Sequence, residues 1–229
     1  MILITGNKGN IGSKLESALS NLEVIGIDVK DGMNLITCEL PKDVDLIYHL
    51  AAQSSVESSW YDPVHDMDNI RMTARLVKEY PNTKIIYANS AAAKDPVSPY
   101  GFSKWASGEY LKRFHNNYVN CMFPNVYGVG QKSVVDIFKG KDEVMVYGDG
   151  THIRDYVHVD DIIKGLIQAQ DWKCGEYEMG SGIPTTVLQL AEGKTIIFKP
   201  GRKEATESVL KNDTPNWSPL INVMDYINE

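Results

Sequence analysis

The chain has few cysteines, no surplus of positive charge and no long apolar run. Its 229 residues include three cysteines, Cys38, Cys121 and Cys174, which lie far apart and lack the spacing of a metal-binding or redox pair. We therefore expect reduced thiols and no metal site. The 30 acidic residues outnumber the 23 basic ones and give a formal net charge of −7, so nucleic acid is not an expected partner.

No apolar stretch approaches the length that a bilayer span requires, and the amino terminus lacks the pattern of a signal peptide. The chain instead begins directly with an apolar strand, MILIT. These absences predict a cytoplasmic protein that neither enters a membrane nor is secreted.

The first half of the chain alternates apolar strands with amphipathic helices. Strands are predicted over residues 1–5, 23–28, 33–37, 45–50 and 84–88, and helices over residues 11–20, 69–79 and 100–117. This order predicts an α/β fold with a doubly wound parallel sheet. Beyond about Tyr127 the pattern breaks into short pieces separated by glycines, which indicates a small second lobe.

Three glycines follow the first strand in the sequence GNKGNIG. Gly6, Gly9 and Gly12 lie between a strand and a helix, where the backbone can approach a pyrophosphate closely. The start of the helix also offers unpaired N–H groups and the positive end of a dipole. The alternative is a glycine-rich connector that binds nothing, since a glycine pattern alone has little specificity.

A carboxylate ends the second predicted strand. Asp28 follows Gly6 by 22 positions, where an acidic side chain can accept hydrogen bonds from the ribose of an adenosine. Its charge repels a 2′-phosphate and favours NAD over NADP. The alternative is an aspartate that caps the strand or begins the next turn. Taken with the glycines, Asp28 favours an NAD site.

A tyrosine and a lysine lie four positions apart in SPYGFSKWASGEYL. On the predicted helix, Tyr100 and Lys104 share one face, so an ammonium group would lower the pKa of the phenol and make it a general base. Ser90 ends the preceding strand, where its hydroxyl can bond the same substrate oxygen. The alternative for the tyrosine and lysine is an ordinary amphipathic surface helix.

These residues resemble the extended short-chain dehydrogenase/reductase family, in its NAD-dependent nucleotide-sugar epimerase/dehydratase branch, and UDP-glucose 4-epimerase-like members in particular. The resemblance runs nearly end to end. Besides the glycines, Asp28 and the Tyr100–Lys104 pair, it includes HLAAQ (49–53), Asn69, NSAA (89–92), PNVYG (124–128), GDGTHIRDYVHVDD (148–161) and GSG (180–182).

The resemblance implies a Rossmann-like sheet with a small C-terminal substrate lobe. The NAD-binding domain would cover residues 1–127, with some later segments returning to it, and residues 128–229 would mainly form the substrate lobe. It further implies bound NAD, a nucleotide-diphosphate sugar as substrate and a homodimer formed by helices beside the active site.

The resemblance also assigns roles to individual residues. Ser90, Tyr100 and Lys104 would be catalytic, and Ser90, Asn125, Arg154 and Arg202 would bind the substrate, with the two arginines on its phosphates. His49 would be structural. The cofactor-binding residues would be Gly6, Gly9, Asn10, Ile11, Gly12, Asp28, Asn34, Leu35, Leu50, Ala51, Ala52, Asn69, Tyr100, Lys104, Phe123 and Pro124.

The chain departs from its relatives in length and in the residues after Ser90. Nine residues separate Ser90 from Tyr100, where relatives have a longer loop, and Ala91 and Ala92 stand where dehydratases usually place an acid. Alanine cannot transfer a proton, which favours a 4-epimerase that works through a transient 4-keto sugar. Another dehydratase or reductase of the family, and more distantly a non-catalytic NAD-binding regulator, remain alternatives.

Overall fold

The structure is a computed structural model, and residues 1–201 and 205–229 are described. The strands are β1 (Ile2–Thr5), β2 (Val24–Ile27), β3 (Leu46–His49), β4 (Lys84–Ser90), β5 (Tyr118–Phe123), β6 (Asn125–Tyr127), β7 (Glu143–Tyr147), β8 (Ile153–Arg154), β9 (Tyr156–His158), β10 (Gly175–Glu178), β11 (Thr185–Thr186), β12 (Thr195–Lys199) and β13 (Glu207–Ser208). The helices are α1 (Asn10–Ala18), α2 (Val56–Tyr61), α3 (Pro63–Glu79), α4 (Pro99–Phe114), α5 (Val134–Phe138), α6 (Val159–Gln168), α7 (Val187–Leu190) and α8 (Val223–Asn228).

The first of two compact units comprises Met1–Met122 and Leu166–Tyr177. Its strands contribute to a six-stranded sheet in the order β10-β5-β4-β3-β1-β2, in which β1 pairs in parallel with β2 and β3, and β3 with β4. The α/β prediction with a doubly wound, Rossmann-like sheet is confirmed. Because β1, β3 and β4 run in parallel, the residues that follow each of them meet at one edge of the sheet.

Continuous apolar runs build this sheet. Leu3, Ile47 and Ile85 occupy neighbouring strands and are fully buried in one core cluster with Leu76 of α3 and Leu111 of α4. Strands that are apolar throughout are typical of a parallel sheet covered on both faces. Burial of these side chains fixes the register that brings the candidate site residues together.

The strand predicted over residues 33–37 is wrong. The backbone instead turns, and the N–H groups of Thr37 and Cys38 both donate to the carbonyl of Asn34. The Asn34 side chain starts the turn by accepting from the N–H of Ile36 at 2.8 Å, a local bond that competes with strand pairing. Arg75 of α3 then fastens the turn through the carbonyls of Leu35 and Cys38.

Helix α3 begins six residues before the predicted start at residue 69. Asp62 caps it by accepting from the N–H of His65 at 3.4 Å, and Pro63 takes the first helical position. Ser98 caps α4 in the same way, accepting from Gly101 N at 3.0 Å, with Pro99 next. An acceptor followed by proline is a start signal that outweighs apolar periodicity.

The second unit comprises Phe123–Gly165 and Glu178–Glu229. The first change of unit therefore falls at residue 123, whereas the sequence places it after residue 127. Short sheets form in the order β11-β8-β13, β12-β7 and β6-β9. The core of the second unit includes Tyr127, Phe138, Val146 and Leu190, all almost fully buried. Within the described residues, no helix has the length and apolar character needed to cross a bilayer.

A buried carboxylate holds the C-terminal segment of the second unit. Asp161 of α6 is 1 % exposed, and its Oδ2 accepts from the N–H groups of Leu220 and Ile221 at 2.9 and 3.0 Å. The carbonyl of Asp161 accepts from the indole N–H of Trp217 at 2.9 Å. The side chain and the backbone of one residue therefore both fasten residues 217–221.

We expect Asp161→Ala to destabilise the second unit by about 2 to 3 kcal/mol, because three charge-assisted bonds are lost, one of them from Lys164 at 3.2 Å, and two backbone donors lose their acceptor. The thermal midpoint measures the loss. Asp213→Ala, which removes an exposed carboxylate from the same segment, is the control and should change little. Equal shifts in the two variants would show that Asp161 does not anchor the segment.

Candidate active site

The turn after β1 needs glycine at two positions. Gly6 has φ +74°, and a Cβ there would lie 2.7 Å from the N atom of Ala51, in the loop after β3. A Cβ on Gly12 would lie 2.1 Å from the carbonyl oxygen of Gly6. The turn is thus packed against α1 and the neighbouring loop more closely than any side chain allows.

The start of α1 suits an anion. Its cap residue is Gly9, which offers no side-chain acceptor, and the first turn carries no acidic residue. The first N–H groups of a helix form a site of positive potential, and here no carboxylate competes for it. The diphosphate of NAD fits this position.

Asp28 fits both interpretations that the sequence leaves open, the cap of a turn and a contact to the ribose of NAD. Its side chain caps the turn Val29–Asp31 by accepting from Lys30 N at 2.9 Å, and its other oxygen accepts from Lys8 N at 3.0 Å. Lys8 lies inside the glycine turn, so the carboxylate also holds that turn in place. Each carboxylate oxygen can accept a second bond, which leaves capacity for a ribose hydroxyl.

The loop after β3 lies against the same turn. The N–H of Ala51 donates to Thr5 Oγ1 at 3.2 Å, and Leu50 and Ala52 beside it are half-buried. Of the predicted adenine contacts, Asn34 uses its side chain in the turn already described, and the Leu35 side chain is buried in the core cluster. Leu35 is therefore first a core residue.

Ser90 and Tyr100 meet through their side chains. Ser90 ends β4 and Tyr100 lies in the first turn of α4, where it is buried. Burial raises the pKa of Tyr100, and a side-chain hydrogen bond from Ser90 partly opposes it. This direction is opposite to the lowering by Lys104 expected from the sequence, because burial dominates.

Lys104 is buried and faces β4. Its amine donates to the carbonyl of Ala88 and lies 4.2 Å from the centre of the Tyr87 ring. Burial lowers the pKa of Lys104 to about 7. A buried amine with a shifted pKa is typical of a functional site.

His49 is structural, as the resemblance implies. Its ring nitrogens lie 2.8 Å from Thr5 Oγ1 and 3.1 Å from Thr73 Oγ1, and burial lowers its pKa to about 3. It therefore stays neutral and joins β1, β3 and α3. Among the described residues, no group of three His, Cys, Asp or Glu side chains is placed to hold a metal ion.

Two of the predicted substrate residues, Asn125 and Arg154, lie in the second unit, whereas Ser90 lies in the first. Arg154 donates to the carbonyls of Ile153 at 2.9 Å and Ala205 at 2.7 Å, so it also fastens the backbone beside β8. Asn125 is exposed, and its amide donates to Asp155 O at 3.2 Å. Phe123 and Pro124 are buried. Arg202 lies outside the described residues.

Sequence analysis missed two residues of this site. Gln53 exchanges hydrogen bonds with Asn69 of α3, whose amide also donates to Ser103 of α4 at 2.9 Å. Asp66, one turn before Asn69, is fully buried. The available signal was the spacing of three, which places both side chains on one face of α3.

Lys104→Met should stabilise the protein at about pH 6 by roughly 1 to 3 kcal/mol, because methionine matches the lysine stem and needs no buried charge. The pKa of Lys104 lies near 7 in the folded protein and at its ordinary value of 10.5 in the unfolded chain, so the unfolded chain binds more protons between these values. Wild-type stability then rises with pH across that window. The gain in stability of Lys104→Met over the wild type should therefore decrease as the pH rises through that window.

Thermal midpoints of both proteins at about pH 6, 8 and 10 measure this difference. Lys112→Met, on an exposed position of α4, is the control and should show no such trend. If Lys104→Met were less stable than the wild type at every pH, this would contradict the claim that burying the charge of Lys104 costs free energy.

Comparison with known proteins agrees with this arrangement. Residues 2–180 match the model of the "NAD dependent epimerase/dehydratase family". A protein of Methanocaldococcus jannaschii named "Putative UDP-glucose 4-epimerase" is 30 % identical, over 98 % of this chain and 86 % of its own length. That alignment runs over 269 residues against the 229 of this chain, so the relative has segments that this chain lacks.

Solved structures show the same fold. UDP-glucose 4-epimerase of Thermotoga maritima, solved with UDP-glucose, is 26 % identical with a TM-score of 0.84, covering 99 % of this chain and 96 % of that one. The dTDP-glucose 4,6-dehydratase DesIV of Streptomyces venezuelae, solved with NAD, has a TM-score of 0.84 at 21 % identity, covering 98 % and 93 %. The second likeness concerns the fold alone.

The chain belongs to the NAD-dependent epimerase/dehydratase family. The prediction of NAD as cofactor is confirmed at the level of the family, and the uncapped start of α1 and the free capacity of Asp28 fit it.

Proposed function

We propose that the protein is an NAD-dependent nucleotide-sugar 4-epimerase that works through a transient 4-keto sugar. The observation that carries this proposal is the set of Ser90, which is half-buried, and the buried Tyr100 and Lys104, beside a turn of alanines. Ala91–Ala93 form a short helical turn without an acidic residue, directly after Ser90. The position that would hold an acid for elimination therefore has no proton to give.

Tyr100 takes the proton from the sugar hydroxyl at C4, and Ser90 holds the same oxygen by a hydrogen bond. NAD, held by the glycine turn and Asp28, would supply the reversible hydride transfer at C4 by which the sugar passes through the ketone. Tyr100 then gives its proton back to the new hydroxyl. Lys104 holds the ribose of the cofactor, and its positive charge helps Tyr100 to ionise once both are in place.

Largely different residues bind the cofactor and the sugar in this proposal. Gly6, Gly9 and Gly12, with Asn10 and Ile11, hold the diphosphate of NAD, and Asp28 holds the adenosine ribose. Asn125 and Arg154 of the second unit bind the nucleotide sugar. Other family chemistry, by a dehydratase or a reductase, would use the same cofactor residues, and a regulator would bind NAD without turnover.

We also propose a homodimer through α2, α3 and α4. These helices expose large apolar side chains, among them Trp60 at 40 %, Met67 at 38 %, Phe102 at 45 % and Trp105 at 44 %. Exposed apolar side chains on neighbouring helices mark a surface for association. A second copy of the chain, with the same surface, is the occupant that the family resemblance implies.

Incubating the protein and NAD with UDP-, GDP-, CDP- and dTDP-sugars should yield a product of unchanged mass from at least one of them. Chromatography with mass detection separates an epimer from a dehydrated or reduced sugar. Tyr100→Phe should lower turnover by about 10² to 10⁴-fold with NAD still bound, because the ring stays and the proton acceptor is lost.

Tyr110→Phe is the matched control, since Tyr110 lies on the same helix and stacks on Phe114 at 4.7 Å. It should keep its activity. Loss of water from the product would indicate a dehydratase. Consumption of NADH, supplied in place of NAD in a parallel incubation, would indicate a reductase. Binding of NAD without any product would indicate a regulator. Full activity in Tyr100→Phe would remove the tyrosine from the mechanism.

A further inference from the structure

A buried carboxylate lies near the catalytic tyrosine and is not used by the mechanism above. Asp66 is in the first turn of α3 and 0 % exposed. Its two oxygens accept from the Gln53 amide at 3.3 and 3.4 Å, which is long for a bond to a charged group. Burying a carboxylate costs free energy, so this position calls for an explanation.

Helix packing places Asp66 opposite Tyr100. One turn further along, the Asn69 amide of α3 donates to Ser103 Oγ of α4 at 2.9 Å. Leu76 and Leu111, about two turns after Asn69 and Ser103, share one core cluster, so α3 and α4 run in the same direction. Asp66 precedes Asn69 by three residues and Tyr100 precedes Ser103 by three, so each lies one turn earlier on the facing side of its helix. In agreement, the charge of Asp66 acts on Tyr100 and raises its pKa.

Gln53 links this pair to the loop after β3. Its N–H donates to Asn69 Oδ1 at 2.9 Å and its carbonyl accepts from Asn69 Nδ2 at 3.1 Å. The two bonds fix the backbone of Gln53, so its side chain is held toward Asp66. The carboxylate is therefore connected to the segment that lies against the glycine turn.

We propose that Asp66 is a positioning residue for Tyr100: held by Gln53, its charge adds to the effect of burial in holding the Tyr100 hydroxyl protonated in the resting protein, and it makes the phenolate a stronger base once it forms. This inference rests on the proposed function only in taking Tyr100 as the base. The other groups around the pair are Ser90 and Tyr87 from β4, Lys104 from α4, and Asp62 and His65 beside Asp66.

The proposal is tested by titrating Tyr100 in protein labelled with ¹³C at the tyrosine Cζ. The chain has 12 tyrosines, and the Tyr100 resonance is the one that disappears in Tyr100→Phe. Asp66→Asn keeps the shape and removes the charge. We expect it to lower the pH at which the Tyr100 signal begins to shift by about 0.5 to 1 unit. Asp66→Glu should stay near the wild-type titration.

Asp68→Asn is the control, since Asp68 lies on the same helix and pairs with Arg71 at 2.8 Å on the surface. It should leave the Tyr100 signal unchanged. If Asp66→Asn does not fold, Asp66→Ser removes the same charge from a smaller side chain. An unmoved or raised Tyr100 titration on removing the charge overturns the proposal.

The titration needs neither sugar nor cofactor, so it stands apart from the proposed function. A protein that converts no nucleotide sugar yet shows the shift would retain the Asp66 inference. An active epimerase with an unmoved titration would lose it. Where activity is present, the acidic limb of the kcat/KM profile should shift in the same direction by the same amount.

Discussion

The buried contact between α4 and β4 is the constraint on which the site depends. Lys104 of α4 donates to the carbonyl of Ala88 in β4, and Tyr100, one turn earlier, meets Ser90 at the end of the same strand. A helix held at these two points cannot rotate without losing both contacts. The cost is a buried amine, and burial lowers its pKa to about 7. Shifted pKa values of this kind are common at functional sites.

The short connection between Ser90 and Tyr100 makes this contact local. Ser90 accepts from Ala92 N at 3.2 Å and so begins the turn Ala91–Ala93. Ser98 then caps α4, which places Tyr100 in its first turn. Only nine residues thus separate Ser90 from Tyr100. The side chains of Ser90 and Ser98 fix the two ends of this connection by hydrogen bonds to backbone N–H groups. The Methanocaldococcus jannaschii relative carries segments that this chain lacks.

Features of the site that depend on local spacing could be predicted from sequence. The glycines, Asp28 and the Tyr100–Lys104 pair each follow from a strand, a turn or a helix considered alone. Local spacing places Asp66 on the same face of α3 as Asn69, but its proximity to Tyr100 could not be predicted, because Tyr100 lies on another helix. The sequence predicts a lowered pKa for Tyr100, whereas burial raises it, and burial depends on packing between elements. The prediction of a strand over residues 33–37 was wrong because the Asn34 side chain accepts a hydrogen bond from Ile36 N, which stabilises a turn despite the apolar pattern.

Hydride transfer at C4 and its return to the same carbon is the central claim, and isotopic labelling tests it most directly. UDP-glucose carrying deuterium at C4, incubated with the protein and NAD, should give an epimer of equal mass that keeps its deuterium in ordinary water. A product that has lost water, or an epimer whose deuterium has exchanged with solvent, would contradict the account.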